Sequence, residues 1–297
     1  MKKTELSPRG PSQETRRIAL YKRHGFFTND TRGAVIKRAT NAEELERTFK
    51  LVYQNYIGQG FIKPNSSGLR IRPCDTSSDS AFYIAKYKDE VIGVSGLVQD
   101  SDDLGLPSDR IYKDELDTLR NDSGVVFEAT VQIITPAFRN TGVLTELQRC
   151  ILIQSIDGGC TDLVATVSTS QKSYYELIGF EQIGPVRNYT TGAKDLVVLM
   201  RLRAQELDEG LFAREETGSF WKQYSVEDNP YRQQIWQWSR QLKATFNNHQ
   251  AISELFAKCP TLLTTATPDE YEAIKRRLGA DAFSLLAEMH CPEAQSA

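Results

Sequence analysis

The chain has 297 residues, is 40% hydrophobic and 25% charged, and carries a formal net charge of −3, an ordinary soluble composition long enough for one or two domains. No apolar run reaches the roughly 18 residues of a helical membrane span, and the first residues are basic with no apolar stretch behind them, so no secretory signal is read there. The five cysteines, at 74, 150, 160, 259 and 291, are odd in number and unclustered, and the three histidines are isolated; this argues against a disulfide framework or a zinc site and for reduced thiols in the cytosol.

The near-neutral total hides an asymmetry. Residues 1–38 hold ten Lys or Arg against three Asp or Glu, a surplus of +7, and the remainder carries −10. Residues 1–33 lack a sustained apolar period and read as a basic arm, either folded back on its acidic body or a dock for an anionic partner. Ala34 to Ala39 is a short strand. Asn41 then stands three residues before Glu44, at capping spacing, and Leu45, Phe49, Val52, Tyr53 and Tyr56 recur at helical intervals. The stretch from Gly58 to Asp79 is loop-like and carries Arg70 and Arg72. Ala81 to Lys86 and Val91 to Leu97 flank a turn and predict a hairpin. A turn-rich connection follows, leading into a helical period through Tyr112, Leu116 and Leu119 that ends near Arg120.

The region from Val125 onwards organises the rest. Val125 to Ile134 reads as a central strand ending before Pro136. Next come Arg139-Asn140-Thr141-Gly142, an apolar helical face through Val143, Leu144, Leu147, Cys150 and Ile151, a Gly-Gly break, and a second strand from Leu163 to Val167. Strand, turn, helix, strand is the unit that joins parallel strands. The first-turn N–H groups of its helix have no partner inside the helix, so an anion is the natural guest there. Val186 to Tyr189 and Leu196 to Leu202 supply two more strands. Beyond them Tyr231, Ile235, Trp238, Leu242 and Phe246 mark an amphipathic helix. Thr267-Pro268-Asp269-Glu270 is a capping box opening another, which Gly279 ends. The expected organisation is a basic arm at 1–33, an α/β body at 34–203 and a helical appendage at 204–297.

Several of these stretches resemble a known superfamily. Arg139-Asn140-Thr141-Gly142-Val143-Leu144 is similar to the pyrophosphate loop R/Q-x-x-G-x-G/A of the GNAT N-acyltransferases, with Leu144 where that pattern has Gly or Ala. Tyr175-Glu176-Leu177-Ile178-Gly179-Phe180 resembles their closing Y-x-x-x-G-F. Asp100 to Arg120 resembles the D…GLP…EL…LR block of long-chain N-acyl amino acid synthases and acyl-homoserine lactone synthases, and Tyr53-Gln54-Asn55-Tyr56…Gly60-Phe61…Pro64…Arg70 resembles their amino-terminal pattern. The resemblance covers about residues 34–203. It implies an α/β fold with a mixed, mostly antiparallel sheet flanked by helices. It also implies transfer of an acyl group, expected to be fatty, from a thioester to the amine of an amino acid or similar small molecule.

Acyl transfer to an amine needs a base, a held thioester and a proton for the departing sulfur. Glu128, set among apolar residues of the central strand, is placed to be the base if burial raises its pKa; the competing role is a strand glutamate facing solvent or paired with an arginine. The resemblance implies that Tyr175 protonates the sulfur, the alternative being a core tyrosine. It also implies that Arg139 and the backbone of Asn140, Thr141, Gly142 and Val143 hold the carrier's phosphates, the alternative being a turn that only starts a helix, and that Gln132, Ile133 and Ile134 also bind the carrier. Arg70, Arg72 and Arg120 are candidate clamps for an acceptor carboxylate, and Ser168 joins them as a substrate-side residue, standing where the pattern has Asn.

No permanently bound cofactor, metal or nucleic acid is expected. The co-substrate is the phosphopantetheine of an acyl carrier protein or a coenzyme A thioester, and the basic arm has an acyl carrier protein or a membrane surface as candidate partners. Two other readings stay open: a non-catalytic acyl-thioester or protein-binding module on the same fold, and an acetyl-CoA-dependent N-acetyltransferase.

Overall fold

The computed structural model describes residues 28, 30–122, 124–189, 196–203 and 228–290. Residues 1–27, most of the expected basic arm, and residues 204–227, the start of the expected appendage, lie outside them. The strands, in chain order, are β1 (Val35–Arg38), β2 (Ala81–Tyr87), β3 (Glu90–Gln99), β4 (Val126–Ile134), β5 (Asp162–Ser168), β6 (Glu181–Gln182), β7 (Arg187–Asn188) and β8 (Leu196–Arg203). They form one sheet in the order β1-β2-β3-β4-β5-β8-β6, with β7 also on β8. Among the described strands every pairing is antiparallel except β4 with β5. The sheet is therefore mixed and mostly antiparallel, as the resemblance implied.

The helices are α1 (Ala42–Gln59), α2 (Asp109–Asn121), α3 (Val143–Asp157), α4 (Lys172–Leu177), α5 (Arg232–Asn247), α6 (His249–Ala257), α7 (Thr261–Thr264), α8 (Pro268–Leu278) and α9 (Ala280–His290). Local chemistry starts several of them where the sequence predicts. Asn41 Oδ1 accepts the Glu44 N–H at 2.9 Å. At α8, Thr267 Oγ1 accepts the Glu270 N–H at 3.2 Å while Glu270 returns a bond to the Thr267 N–H at 2.7 Å, so two otherwise orphaned donors are satisfied reciprocally.

Period-2 alternation sorts the sheet's side chains to two cores. Tyr83 and Ala85 point to the side covered by α3, α4 and Ile235 of α5. Phe82 and Ile84 point to the side covered by α1 and by α6, α8 and α9. A third cluster seats Tyr112, Leu116 and Leu119 of α2 over Val126, Val164 and Leu199.

Two irregularities open this sheet in the middle. The parallel pair β4–β5 is zipped only from Val126 and Asp162 to Glu128 and Val164, after which the strands part. In the same stretch β4 uses one residue more than β3: Val94 faces Ile133 but Gly96 faces Thr130. The extra residue is a bulge in which Val131 takes φ +46°, a conformation that costs a β-branched residue on the order of 1–3 kcal/mol. Gly96 is required opposite it, since a Cβ there would lie 2.8 Å from the methyls of Thr130 and Val131. The backbone of β4 beyond Glu128 thus has no strand partner on its β5 side, and a cleft forms between the two strands.

Candidate active site

Glu128 sits at the last paired position, where the cleft begins, and is 3% exposed. Its Oε2 accepts the Ser108 N–H at 2.9 Å and its Oε1 the Ser108 hydroxyl at 2.8 Å. Ser108 Oγ is in turn 2.5 Å from Thr166 Oγ1 on β5, so the hydroxyls form a chain from Thr166 through Ser108 to the carboxylate. Among the described residues no cation pairs with Glu128. Burial therefore pushes its carboxyl up to about 7, outweighing the hydrogen bonds from Ser108 and the nearby charge of Arg72, which pull it down. The sequence condition on Glu128 is met, and a solvent-facing or salt-bridged role is not.

Glu128 lines one cavity, and three others share wall residues with it. The cleft itself is lined by Glu128, Ser108, Thr130, Gln132, Ser168 and Tyr175. Behind it runs an apolar slot between Ala129, Ile151, Leu152, Leu163, Ile178 and Phe180. Gln132 and Tyr175 border both. To one side a cavity of about 490 Å³ is walled by Ile133, Ile134, Arg139, Asn140, Thr141 and Leu144. To the other, a cavity of about 450 Å³ holds Arg70 and shares Arg72, Pro107 and Tyr189 with the cleft.

Tyr175 is anchored in the core by edge contacts with Tyr174 and Phe180, while its hydroxyl is directed to Gln132 Oε1 at 3.4 Å. Burial pushes its phenol up to about 12, so it stays protonated at neutral pH and is a proton donor by default.

Most of the expected carrier-binding residues face one cavity, but Gly142 and Val143 do not line it. The Gly142 N–H donates to the Asp30 carbonyl at 2.9 Å, and the Val143 N–H to Thr141 Oγ1 at 3.3 Å. Both donors are satisfied within the chain, that of Val143 inside the loop and that of Gly142 by residues just before β1, which cross the loop: Arg32 Nη1 also reaches the Ala137 carbonyl at 2.8 Å. Asn140, at φ 59° in the left-handed region that asparagine tolerates, turns the loop outward. Arg139 Nε donates to the Ile134 carbonyl at 3.3 Å, and Arg139 stands on the cavity wall.

The three candidate arginine clamps separate. Arg120 is spent on Asp100, Asp109 and Asp117 at 2.6, 2.7 and 2.8 Å and borders none of these cavities; it locks α2 to the end of β3 and is corrected from clamp to strut. Arg72 is held by Asp75 at 2.8 Å and donates to Thr130 Oγ1 at 3.0 Å, so it fixes the cleft wall with its charge already matched. Arg70 has no carboxylate partner among the described residues. Its guanidinium lies 4.5 Å over the Tyr56 ring, its Nη2 donates to Tyr189 at 3.2 Å, and its Nε is buried without a partner. Ser168 lines the cleft and bonds Ser170 at 2.9 Å.

Sequence reasoning missed Ser108 and Thr166. A serine just before a helical period reads as a cap, yet Ser108 makes no side-chain cap bond at α2 and turns its hydroxyl to Glu128 instead. Among the described residues no helix is long and apolar enough to cross a membrane, and no His, Cys, Asp and Glu cluster could hold a metal. The four described cysteines are free and buried.

Comparison with known proteins places the fold and the family. FeeM, an N-acyl amino acid synthase from uncultured soil microbes, superposes with a TM-score of 0.54 at 18% identity, over 63% of this chain and 97% of FeeM. BjaI, a CoA-dependent acyl-homoserine lactone synthase, gives 0.46 at 15% identity over 59% of this chain and 87% of BjaI. A putative GNAT acetyltransferase of Desulfovibrio desulfuricans gives 0.39 at 14% over 58% of this chain and 99% of its own. No curated protein matches. The family model described as N-acyl amino acid synthase FeeM matches residues 47–203, more than half of the chain and the stretch that carries Glu128, Tyr175 and the splayed strands: the chain belongs to that family.

Proposed function

We propose that the chain is an N-acyltransferase that moves an acyl group, fatty rather than acetyl, from the phosphopantetheine thioester of an acyl carrier protein or coenzyme A to the amine of an amino acid. The observation that carries this reading is a buried glutamate, with no ion-pair partner among the described residues and its carboxyl near 7, in a cleft that shares wall residues with a phosphate-side cavity, an apolar slot and an arginine-bearing cavity.

In the proposed reaction the pantetheine arm lies between β4 and β5, its amides meeting the unpaired edge of β4, with its phosphate towards Arg139 and Asn140. The acyl chain enters the apolar slot. The acceptor amine, neutral after losing its ammonium proton to solvent, attacks the thioester carbonyl carbon. Glu128 takes the second proton as the C–N bond forms, on a lone pair that Ser108 leaves open. The C–S bond then breaks, and Tyr175 gives its proton to the sulfur and regains one from Glu128 or water. One amide and one thiol result, and no proton is gained or lost by the enzyme.

Mass spectrometry of lipid extracts from cells overproducing the chain tests the reading. N-acyl amino acids absent from control cells are expected; unchanged extracts, or N-acetyl products alone, would count against it.

The slot makes a prediction of its own. Filling it by Ile151→Phe should shift the donor preference to shorter chains, because each buried methylene contributes about 0.8 kcal/mol. A change equivalent to three or four lost methylenes is roughly a 50-fold or greater fall in kcat/KM for long donors relative to short ones. An unchanged chain-length profile in a folded variant would remove the slot from the acyl path.

For the carrier, the basic surplus over residues 1–38 supports electrostatic steering of an acidic protein. Deleting residues 1–27, which leaves the crossing segment at the phosphate loop, should lower kcat/KM for an acyl carrier protein donor, and less so as salt is raised. The same deletion should matter little with acyl-CoA. Equal losses on both donors at every salt concentration would dismiss the docking role.

A further inference from the structure

The 450 Å³ cavity has two walls of different origin. The wall next to the cleft, with Arg70, Arg72 and Pro107, lies inside the family match; the far wall, with Thr261, Thr265 and Glu270, comes from α7, its C-terminal cap and α8, beyond residue 203, where that match ends. FeeM is 97% covered by only 63% of this chain. Its fold is thus complete without more than a third of the present sequence.

That far wall is fastened to the loops around the cavity. Arg110 Nη2 binds both oxygens of Glu270 at 2.8 and 3.0 Å and the Thr265 carbonyl at 3.3 Å. Arg277 reaches Asp103 at 2.8 Å and the Ser77 hydroxyl at 2.7 Å. Thr267 and Glu270 satisfy each other at the start of α8. These bonds hold α7 and α8 against the segment that leads through Leu104, Leu106 and Pro107 to Ser108.

The charges of the far wall are consequently matched. What it presents to the cavity is surface, completing an interior that includes Leu69, Ile71, Leu104 and Leu106. Arg70, near the cleft end, is the guanidinium of this cavity with no carboxylate partner among the described residues, while Arg72 and Arg110 are paired. A cavity of 450 Å³ is in the range that holds whole small molecules and far exceeds what a glycine or alanine acceptor would fill.

We propose that the C-terminal helices α7 and α8 build the side-chain pocket of the acceptor, and that the acceptor is an α-amino acid with a bulky, mainly apolar side chain. Its carboxylate meets Arg70, its amine lies at Glu128, and its side chain extends past Pro107 to Thr261 and Thr265. This rests on the N-acyltransferase reading above and specifies its acceptor.

The test is an acceptor series (glycine, alanine, leucine, phenylalanine and tryptophan) with the purified full chain and one acyl donor, followed by the same series with Thr265→Trp. Burial of a large apolar side chain should make kcat/KM for phenylalanine or tryptophan roughly 10- to 100-fold higher than for glycine in the wild type. Thr265→Trp, which occupies the far end of the cavity, should bring that ratio close to one. Glycine preferred or equal in the wild type would overturn the inference while leaving acyl transfer to amino acids standing. So would a ratio unmoved by the variant, with its Tm near that of the wild type. If the wild type acylates none of the five, the proposed function itself fails, and the acceptor assignment with it.

Discussion

Glu128→Gln is expected to fold normally and to lower kcat by roughly 10²- to 10⁴-fold, the range for removal of a general base. The amide is nearly isosteric: its oxygen can still accept the Ser108 N–H while its NH2 donates to the Ser108 hydroxyl oxygen, but it cannot take the amine's proton. Because burial raises the Glu128 carboxyl to about 7, wild-type kcat/KM for the amine should climb with pH through that value. The variant should keep only the rise that comes from deprotonation of the amine itself, without the additional step near 7 that Glu128 gives the wild type. Stability should move the opposite way. A carboxyl that ionises at about 7 in the fold against an ordinary 4.5 is destabilising once charged, so its contribution is favourable below pH 4.5 and is lost as pH rises to about 7. The variant should therefore gain in Tm relative to wild type between pH 4.5 and 7 and hold that gain above it. A Tm difference that ignores pH would mean that Glu128 titrates like an exposed carboxylate.

Arg70→Met should raise the KM for an amino-acid acceptor by roughly 10- to 150-fold, the equivalent of about 1.5–3 kcal/mol for a hydrogen bond to a charged group, with a smaller effect on kcat. The carboxylate is bound in ground and transition states alike, so its loss falls mainly on KM. Methionine keeps the stack on Tyr56 while removing the charge. An alkylamine acceptor without a carboxylate is the internal control, since its KM should barely change. If both acceptors lose equally, Arg70 is holding Tyr56 and Tyr189 in place and the carboxylate binds elsewhere.

What could be read from the sequence was what is local. The Asn41 cap, the hairpin between β2 and β3, the strand–turn–helix–strand unit and the Thr267 capping box all depend on residues within a few positions of one another, and each stands where its spacing predicts. The cleft was not legible from the residues alone. It depends on Val131 adopting a left-handed conformation against its own preference, at a bulge that Gly96 on the neighbouring strand has room for.

Arg70, Arg72 and Arg120 were indistinguishable as residue types, and their partners decide among them. The three carboxylates around Arg120 come from β3's end and from α2, and only the fold shows that Arg70 has none among the described residues. Ser108 was hidden by its resemblance to an ordinary cap, 20 residues from the glutamate it serves. The amphipathic period of the C-terminal helices says that one face is buried; it does not say that α7 and α8 close a cavity sharing a wall with the Glu128 cleft.

The central claim, that Glu128 drives acyl transfer to an amine in this cleft, is tested most directly by measuring thiol and amide together. The purified chain is mixed with an acyl thioester and a nitrogen-15-labelled amino acid, with Glu128→Gln run in parallel. The account predicts one free thiol for each labelled N-acyl amino acid in the wild type, and loss of both products in the variant. Thiol release without labelled amide, or amide formed equally fast by Glu128→Gln, would contradict it.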